Sequence, residues 1–546
     1  MIYMSSADLA DRCSLAHLMQ RHLRDRPDAL AIREIDGEAE LTWTDVHDLG
    51  LAWAGALAGA GVSAGDCVLA MLPNSAASFV TWLGSSYLGA VDVPVNDAYR
   101  GAWLDHVIAK SRASVAIVHA DYLDQWQEVI TRHSLSLVVV GGDARRDDTV
   151  SGTRIFAAEL FLDAAEKIAE PVFGARGDIA SVLWTSGTTG PSKGVMMPWG
   201  QWWNRVVDSN YLPDVSQWPD AVMYQPWPVF HVSGRESFYR ILVNGGSLRL
   251  RRRFSTSEWL SDIRRENCDW TYLVGSTPRF LLDQPARADD QDNPLKLVLF
   301  GPAPREIEEF CTRFGVEHGV TSYGLTEVNN PLNSLDYRID EQNYWSCGKL
   351  HPNRRIRLVD EAGRDVADGE PGELLVLDER AEHKIFSGYL HDPDATEAAF
   401  IDGWFHSGDL LRRDEGGHYA FVDRRKDAIR RRGENISSFE VEAAVNSHPD
   451  VVESAAFAVP SEIVEDEVMV VILRAAESTL SAAELRSYLE KIMPKFALPR
   501  YIEFADDLPK TPNQKVRKSV LRERGITDST WDAVAGAEAA PQPTGA

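Results

Sequence analysis

The 546-residue chain predicts an α/β protein: a large N-terminal domain of parallel-rich sheets layered with helices plus a β-barrel-like subdomain, followed by a small α+β C-terminal domain. Three observations predict it. Short apolar strands alternate with helical stretches along the first part of the chain, a rhythm that builds parallel sheets with helices on both faces. Beyond residue 350 the texture becomes β-rich and turn-rich. The length also exceeds what a single hydrophobic core sustains, so more than one domain is expected.

The elements follow in order. Residues 66–72 read as a strand, 75–87 as an amphipathic helix and 89–95 as the next strand. Residues 115–119 and 137–140 repeat the pattern, and 179–184 and 194–197 are two further apolar runs. The rhythm continues through 248–250, 270–274 and 295–300. Residues 355–359 and 372–376 belong to the β-rich part. The charged run Asp423-Arg424-Arg425-Lys426-Asp427 precedes a fresh α+β stretch from Ser437, which divides the chain into 1–425 and 426–533. The small-residue, Pro-containing tail 534–546 reads as disordered.

Composition narrows the class. Apolar content of 44% and charged content of 25% are those of an ordinary soluble globular protein. A net charge of −26 argues against nucleic acid as the main partner. The five cysteines (Cys13, Cys67, Cys268, Cys311, Cys347) form no CxxC pair and read as reduced and mostly buried, without structural zinc. No basic-then-apolar leader and no membrane-length apolar run is visible, so the expected location is cytoplasmic.

The most informative segment is Thr185-Ser186-Gly187-Thr188-Thr189-Gly190-Pro191-Ser192-Lys193-Gly194, set between two apolar strands. Gly, Ser and Thr crowd backbone N–H groups and hydroxyls into a small volume, and Lys193 adds a mobile positive charge. Such a loop makes an anion-binding concavity suited to a polyphosphate. It is not a Walker loop, because Lys193 stands between Ser192 and Gly194 rather than between Gly and Ser/Thr.

Four more segments accompany it in order: Tyr323-Gly324-Leu325-Thr326-Glu327, Trp404-Phe405-His406-Ser407-Gly408-Asp409, Asp423 to Asp427 with Gly433-Glu434-Asn435 after it, and Pro509-Lys510-Thr511-Pro512-Asn513-Gln514-Lys515. Together they resemble the adenylate-forming superfamily of acyl-CoA synthetases, peptide-synthetase adenylation domains and luciferases, from Leu41 to Lys515. Residues 313–327 and 421–437 are most similar in wording to the crotonobetaine/carnitine-CoA ligase branch.

The resemblance implies roles. Thr185, Ser186, Gly187, Thr188, Thr189, Gly190 and Lys193 would clasp the β- and γ-phosphates of ATP. Tyr323 would lie against adenine beside Gly301, Pro302 and Ala303; read alone, it would be a core aromatic. Thr326 would bond the α-phosphate and Glu327 would hold Mg2+, since a hard cation prefers carboxylate oxygen. Asp409 would accept both ribose hydroxyls, having lone pairs for two donors; read alone, it is a turn aspartate. Arg424 would also reach ribose and phosphate. Lys426 occupies the hinge of a mobile C-terminal domain, which would present Lys515 first and the face carrying Gly433 second. Lys515 would stabilise the charge that builds as a carboxylate attacks the α-phosphorus. Gln514 departs from the glycine usual before this lysine.

The acid pocket is expected around Trp227, Phe230 and His231, with His231 either bordering the activated acid or capping the helix that follows. Arg235 on that helix would mark a polar or anionic substrate if it points inward, and carries no information if it pairs with a neighbour. Trp199, Trp202, Trp203 and Trp227 would either shorten the cavity for a small or aromatic acid or serve as packing. The resemblance thus implies acid activation with pyrophosphate release and transfer to an acceptor, coenzyme A first. An amine acceptor is the alternative, including a diazotase that activates nitrite for an aryl amine. With a short stretch after Lys515, no fused carrier domain is expected. A homodimer is compatible with all of this.

Overall fold

The computed structural model describes residues 11–534 apart from 142–147, 151–152, 186–191, 208–219, 276, 302–305, 335–345, 426, 428, 432–433, 461–465, 494 and 512–514. The chain divides into two compact units, residues 1–355 with 376–405, and residues 356–375 with 406–546. The boundary read from the sequence at 425/426 falls within the second unit, because the antiparallel strands before it group with the C-terminal residues.

The first unit holds two sheets. One has eight strands in the order Lys193–Pro198, Ile179–Thr185, Val91–Pro94, Cys67–Met71, Val115–His119, Ser136–Val140, Thr153–Ala157 and Asp148–Val150. All neighbours are parallel except the two outermost pairs. Every residue of Cys67–Met71 is buried, as befits a parallel strand covered on both faces. Alternate side chains feed two cores: Leu69 and Met71 pack with Val93, Val118 and Trp126, whereas Val68 and Ala70 pack with Trp53, Leu57 and Ile117.

The second sheet carries the parallel strands Leu30–Glu34, Ser247–Leu250, Val222–Gln225, Trp270–Val274, Leu297–Gly301 and His318–Leu325 in that spatial order. The antiparallel strand Asn329–Asn333 then turns back along His318–Leu325. Helices join the strands where the sequence places their boundaries. Thr42 and Asp45 form a reciprocal capping box at the start of helix Trp43–Gly59. Gly89 ends helix Ala76–Leu88 at φ +75°, a conformation that favours glycine.

The second unit includes strand Ile356–Val359 and, from His406 on, strand Trp404–Arg413, which pairs antiparallel with His418–Arg424. Its C-terminal part is a four-stranded sheet ordered Val451–Pro460, Asp466–Arg474, Tyr501–Ala505, Trp531–Asp532. Residues of helices Ser438–Asn446 and Ala482–Leu489 share one core with this sheet. On the other face Leu521 of helix Lys518–Arg524 packs with Phe457, Met469 and Val471. No helix among the described residues is long and apolar enough to cross a membrane, and all five cysteines are buried and take part in no disulfide.

Candidate active site

In the first unit, strands Val222–Gln225, Trp270–Val274, Leu297–Gly301 and His318–Leu325 run parallel, so their C-terminal ends share one edge, where open α/β sheets bind ligands. Gly301 lies at this edge, opposite Val274, and a Cβ placed on it would meet nothing within 4 Å. One strand over stands Tyr323, 9% exposed and paired in register with Leu332. Pro302 and Ala303 lie outside the described residues. Gly324 has no such room: a Cβ there would come within 2.3 Å of the Asn329 carbonyl oxygen. The glycine therefore lets two strands close into the tight turn that carries Thr326 and Glu327.

That turn is held from three sides. Gln201 Nε2 donates to the Thr326 carbonyl at 2.7 Å and the Glu327 carbonyl at 3.2 Å. The Phe386 N–H donates to the same Glu327 carbonyl at 2.8 Å. Asn329, at φ +62°, donates from Nδ2 to the carbonyls of Gln201 and Lys384. Thr326 and Glu327 are thereby left half-buried. The Tyr389 hydroxyl reaches Glu327 Oε1 at 3.2 Å, and Lys193 Nζ lies 4.8 Å from the centre of the Tyr389 ring. Burial and the Glu327 carboxylate push the Tyr389 phenol up from its ordinary pKa, so it stays protonated and donates. Lys193 faces Thr185 across the hairpin formed by Ile179–Thr185 and Lys193–Pro198. Ser186, Gly187, Thr188, Thr189 and Gly190 lie outside the described residues. At the loop's exit, His106 Nε2 lies 3.0 Å from the Ser192 carbonyl oxygen.

The expected acid segment follows strand Val222–Gln225. Gln225 pins it by donating to the Trp227 and Gly234 carbonyls and accepting from the Trp227 N–H. Gly234 lets helix Val232–Asn244 start beneath it, since a Cβ there would sit 2.2 Å from the Pro228 carbonyl oxygen. His231 occupies the N-cap position but its side chain makes no capping bond, and its ring lies 4.6 Å from that of Phe230.

Two readings left open for the pocket are narrowed. Arg235 does not face an acid: it is fully buried and bonds Asp92 Oδ2 from Nε at 3.1 Å and Nη2 at 2.5 Å, and the Ser78 carbonyl from Nη1 at 2.7 Å. The helix lies against a parallel strand whose Asp92 needs a counter-charge, and the arginine supplies it. Desolvation draws both groups toward neutrality and their mutual attraction opposes it. The tryptophans are likewise packing. Trp227 stacks on Phe254 at 5.3 Å and donates to the Tyr272 carbonyl. Trp199, Trp202 and Trp203 are all buried, and Trp202 lies 5.2 Å from Trp82. The next residue of the helix, Glu236, is equally internal, bonded by Arg205, Arg240 and Tyr272.

In the second unit, Asp409 and Arg424 face each other across antiparallel strands, with Arg424 Nε 3.1 Å from Asp409 Oδ1. Glu373 organises the preceding turn, accepting from the Gly408 N–H and from Arg425. Lys515 lies beside the antiparallel bridge between Lys510 and Val516, and its N–H donates to the Thr511 hydroxyl. Its side chain is solvent-accessible, yet crowding by protein atoms and the Arg424 charge pull its pKa below the ordinary lysine value, against the pull of Asp409. Lys518, three residues on, is tied to Ser438 Oγ at 2.6 Å and Glu442 Oε1 at 2.8 Å. Gln514, Lys426 and Gly433 lie outside the described residues.

Sequence reading missed Gln201, Gln225, Glu373 and Tyr389. Gln201 and Glu373 reach their partners across long sequence separations, and none of the four sits in a motif segment. Among the described residues no three His, Cys, Asp or Glu side chains converge on a metal position.

This arrangement has relatives. Residues 19–390 match the AMP-binding enzyme family, and 440–515 match the AMP-binding enzyme C-terminal domain. A crotonobetaine/carnitine–CoA ligase of Salmonella heidelberg is 29% identical over 475 residues, 85% of this chain and 89% of the ligase. ATP-bound MatB from Rhodopseudomonas palustris is 26% identical and superposes with a TM-score of 0.81, covering 93% of this chain and 98% of MatB. The anthranilate CoA ligase AuaEII, in complex with anthranoyl-AMP, shares the fold at 23% identity and a TM-score of 0.83, covering 95% and 99%. The chain belongs to the AMP-binding enzyme family of the adenylate-forming superfamily and is an AMP-forming ligase.

Proposed function

We propose that the enzyme activates a carboxylic acid as its adenylate, releases pyrophosphate, and passes the acyl group to coenzyme A. The observation that carries the reading is the gathering of Lys193, Tyr389 and Glu327 at the mouth of the Gly/Ser/Thr loop. An ammonium and a carboxylate, held on two sides of one tyrosine, match a polyphosphate and its counter-cation. The half-buried, tethered Glu327 carboxylate fits Mg2+, which takes one or two carboxylates and fills its remaining positions with water and substrate phosphate oxygens. When bound there, Mg2+ would neutralise phosphate charge and make pyrophosphate a better leaving group.

The chain's own residues do the rest. Lys193 and the loop that begins at Thr185 hold the departing phosphates, and Thr326 bonds the α-phosphate. Tyr323 and the open edge at Gly301 accept the base, while Asp409 and Arg424 serve the ribose. His231 and Phe230 border the acid. Lys515 supplies an ammonium to the oxygens on which charge develops. With Arg235 committed to Asp92, nothing in the helix Val232–Asn244 argues for an anionic acid. The acceptor reading is supported by the Salmonella relative, a CoA ligase by name.

Pyrophosphate release is to be measured with ATP and Mg2+ across a panel of carboxylic acids and nitrite, with coenzyme A or aryl amines added. The proposal expects turnover with a carboxylic acid of the panel and a thioester product that requires coenzyme A. An amide, or a diazonium product from nitrite, would overturn the acceptor assignment.

A further inference from the structure

We infer that Tyr389 is a positioning residue for the phosphate end of the site, holding Glu327 and Lys193 in register; this rests on reading those two as the magnesium and phosphate ligands. Gly388-Tyr389-Leu390 belongs to none of the five segments that identify the site. The backbone there is nevertheless joined to both halves of it. Leu390 N–H donates to the Gly194 carbonyl at 2.7 Å, Ser387 N–H to that of Met196 at 2.8 Å, and Met196 N–H to that of Gly388 at 3.0 Å. Tyr389 itself bridges to Val195, two residues after Lys193. On its other side the Phe386 N–H holds the Glu327 carbonyl, and the Phe386 ring meets the Tyr389 ring edge-on at 5.0 Å. The Tyr389 N–H donates to Thr396 Oγ1 at 2.9 Å. With 7% of its surface exposed, this ring has little freedom to move.

Its two ends act on opposite charges. The hydroxyl donates to Glu327 Oε1 and restrains the rotation of that carboxylate, which sits on a turn. The ring face offers its negative quadrupole to the Lys193 ammonium. A side chain that only fills space needs neither contact. The consequence is specific: losing the hydroxyl impairs the metal end alone, and losing the ring impairs both ends.

The test compares Tyr389→Phe, Tyr389→Leu and Glu327→Gln with the unmodified enzyme. Mn2+ affinity is read by electron paramagnetic resonance in the presence of α,β-methylene-ATP, and the affinity for that analogue by calorimetry at saturating Mg2+. Thermal midpoints are recorded alongside. Tyr389→Phe is expected to weaken Mn2+ about tenfold, the worth of a hydrogen bond to a charged group, with analogue affinity unchanged. Tyr389→Leu is expected to weaken Mn2+ equally and the analogue by about three- to fivefold as well, from the lost cation–π contact. If Tyr389→Phe binds Mn2+ as the unmodified enzyme does while Glu327→Gln is impaired, the positioning role is wrong and the reading of Glu327 survives. The positioning role is equally wrong if both tyrosine variants melt earlier with Mn2+ affinity intact. If Glu327→Gln also leaves Mn2+ affinity unchanged, the metal reading fails and the role of Tyr389 fails with it.

Discussion

In the proposed reaction Lys515 would concentrate the chemistry in one ammonium. Its pKa is drawn below the ordinary lysine value of 10.5 by desolvation and by Arg424, and only partly restored by Asp409. The charged form is the useful one, so activity should be present at low and neutral pH and lost as pH rises through the depressed pKa. The alkaline limb of adenylation is therefore expected below pH 10.5, and Lys515→Arg should move it upward; a limb that does not shift would remove Lys515 from the titration. Lys515→Ala should slow adenylation by on the order of 100- to 1000-fold while largely sparing thioester formation from supplied acyl-AMP. Unimpaired adenylation in that variant would overturn its role. Lys515, Glu327 and Asp409 are nominated by the sequence because each sits in a short motif of fixed wording. Arg235 was legible as unusual but not as paired, because Asp92 lies 143 residues away and only the folded sheet brings it near.

At the scale of elements, glycines and amides shape the site. Gly324→Ala would drive a methyl group into the Asn329 carbonyl and open the turn that carries Thr326 and Glu327. A displacement near 1 Å at a reacting centre costs on the order of 100-fold in rate, so adenylation by this variant should fall by that much with a modest loss of thermal stability. Near-normal pyrophosphate exchange would show that the turn does not need the glycine. The strands were legible because parallel strands with both faces buried read as unbroken apolar runs. The helix sequence 75–87 emerged as Ala76–Leu88, ended by Gly89. Gln201 was not legible: an isolated glutamine in a tryptophan-rich helix carries no signal until the Thr326 carbonyl, 125 residues away, comes within reach.

The whole molecule has a built-in acid sensitivity outside the site. His22 is buried, stacked on Trp43 at 3.9 Å with Nε2 2.9 Å from the Leu242 carbonyl, and burial lowers its pKa from 6.5 to about 4. A histidine held neutral in the folded state contributes stability above its unfolded pKa, and that contribution is lost as pH falls from 6.5 toward 4. Between pH 7 and pH 5 the first unit should lose about 2 kcal/mol through this group. The urea midpoint should fall accordingly, and His22→Phe should flatten the fall; an equally steep fall in that variant would assign it elsewhere. The two-part organisation was legible from the change in texture. Residues 356–375 and 406–425 belong to the β-rich stretch beyond residue 350, and their three-dimensional neighbours group them with the C-terminal residues.

The central claim is that this fold couples ATP to an acid through a reversible adenylate. The direct measurement is acid-dependent exchange of labelled pyrophosphate into ATP, with Mg2+ present and no acceptor added. Exchange that appears only with a cognate acid and collapses in Lys515→Ala is the predicted result. Exchange with no acid in a broad panel, or exchange indifferent to Lys515, would contradict the account.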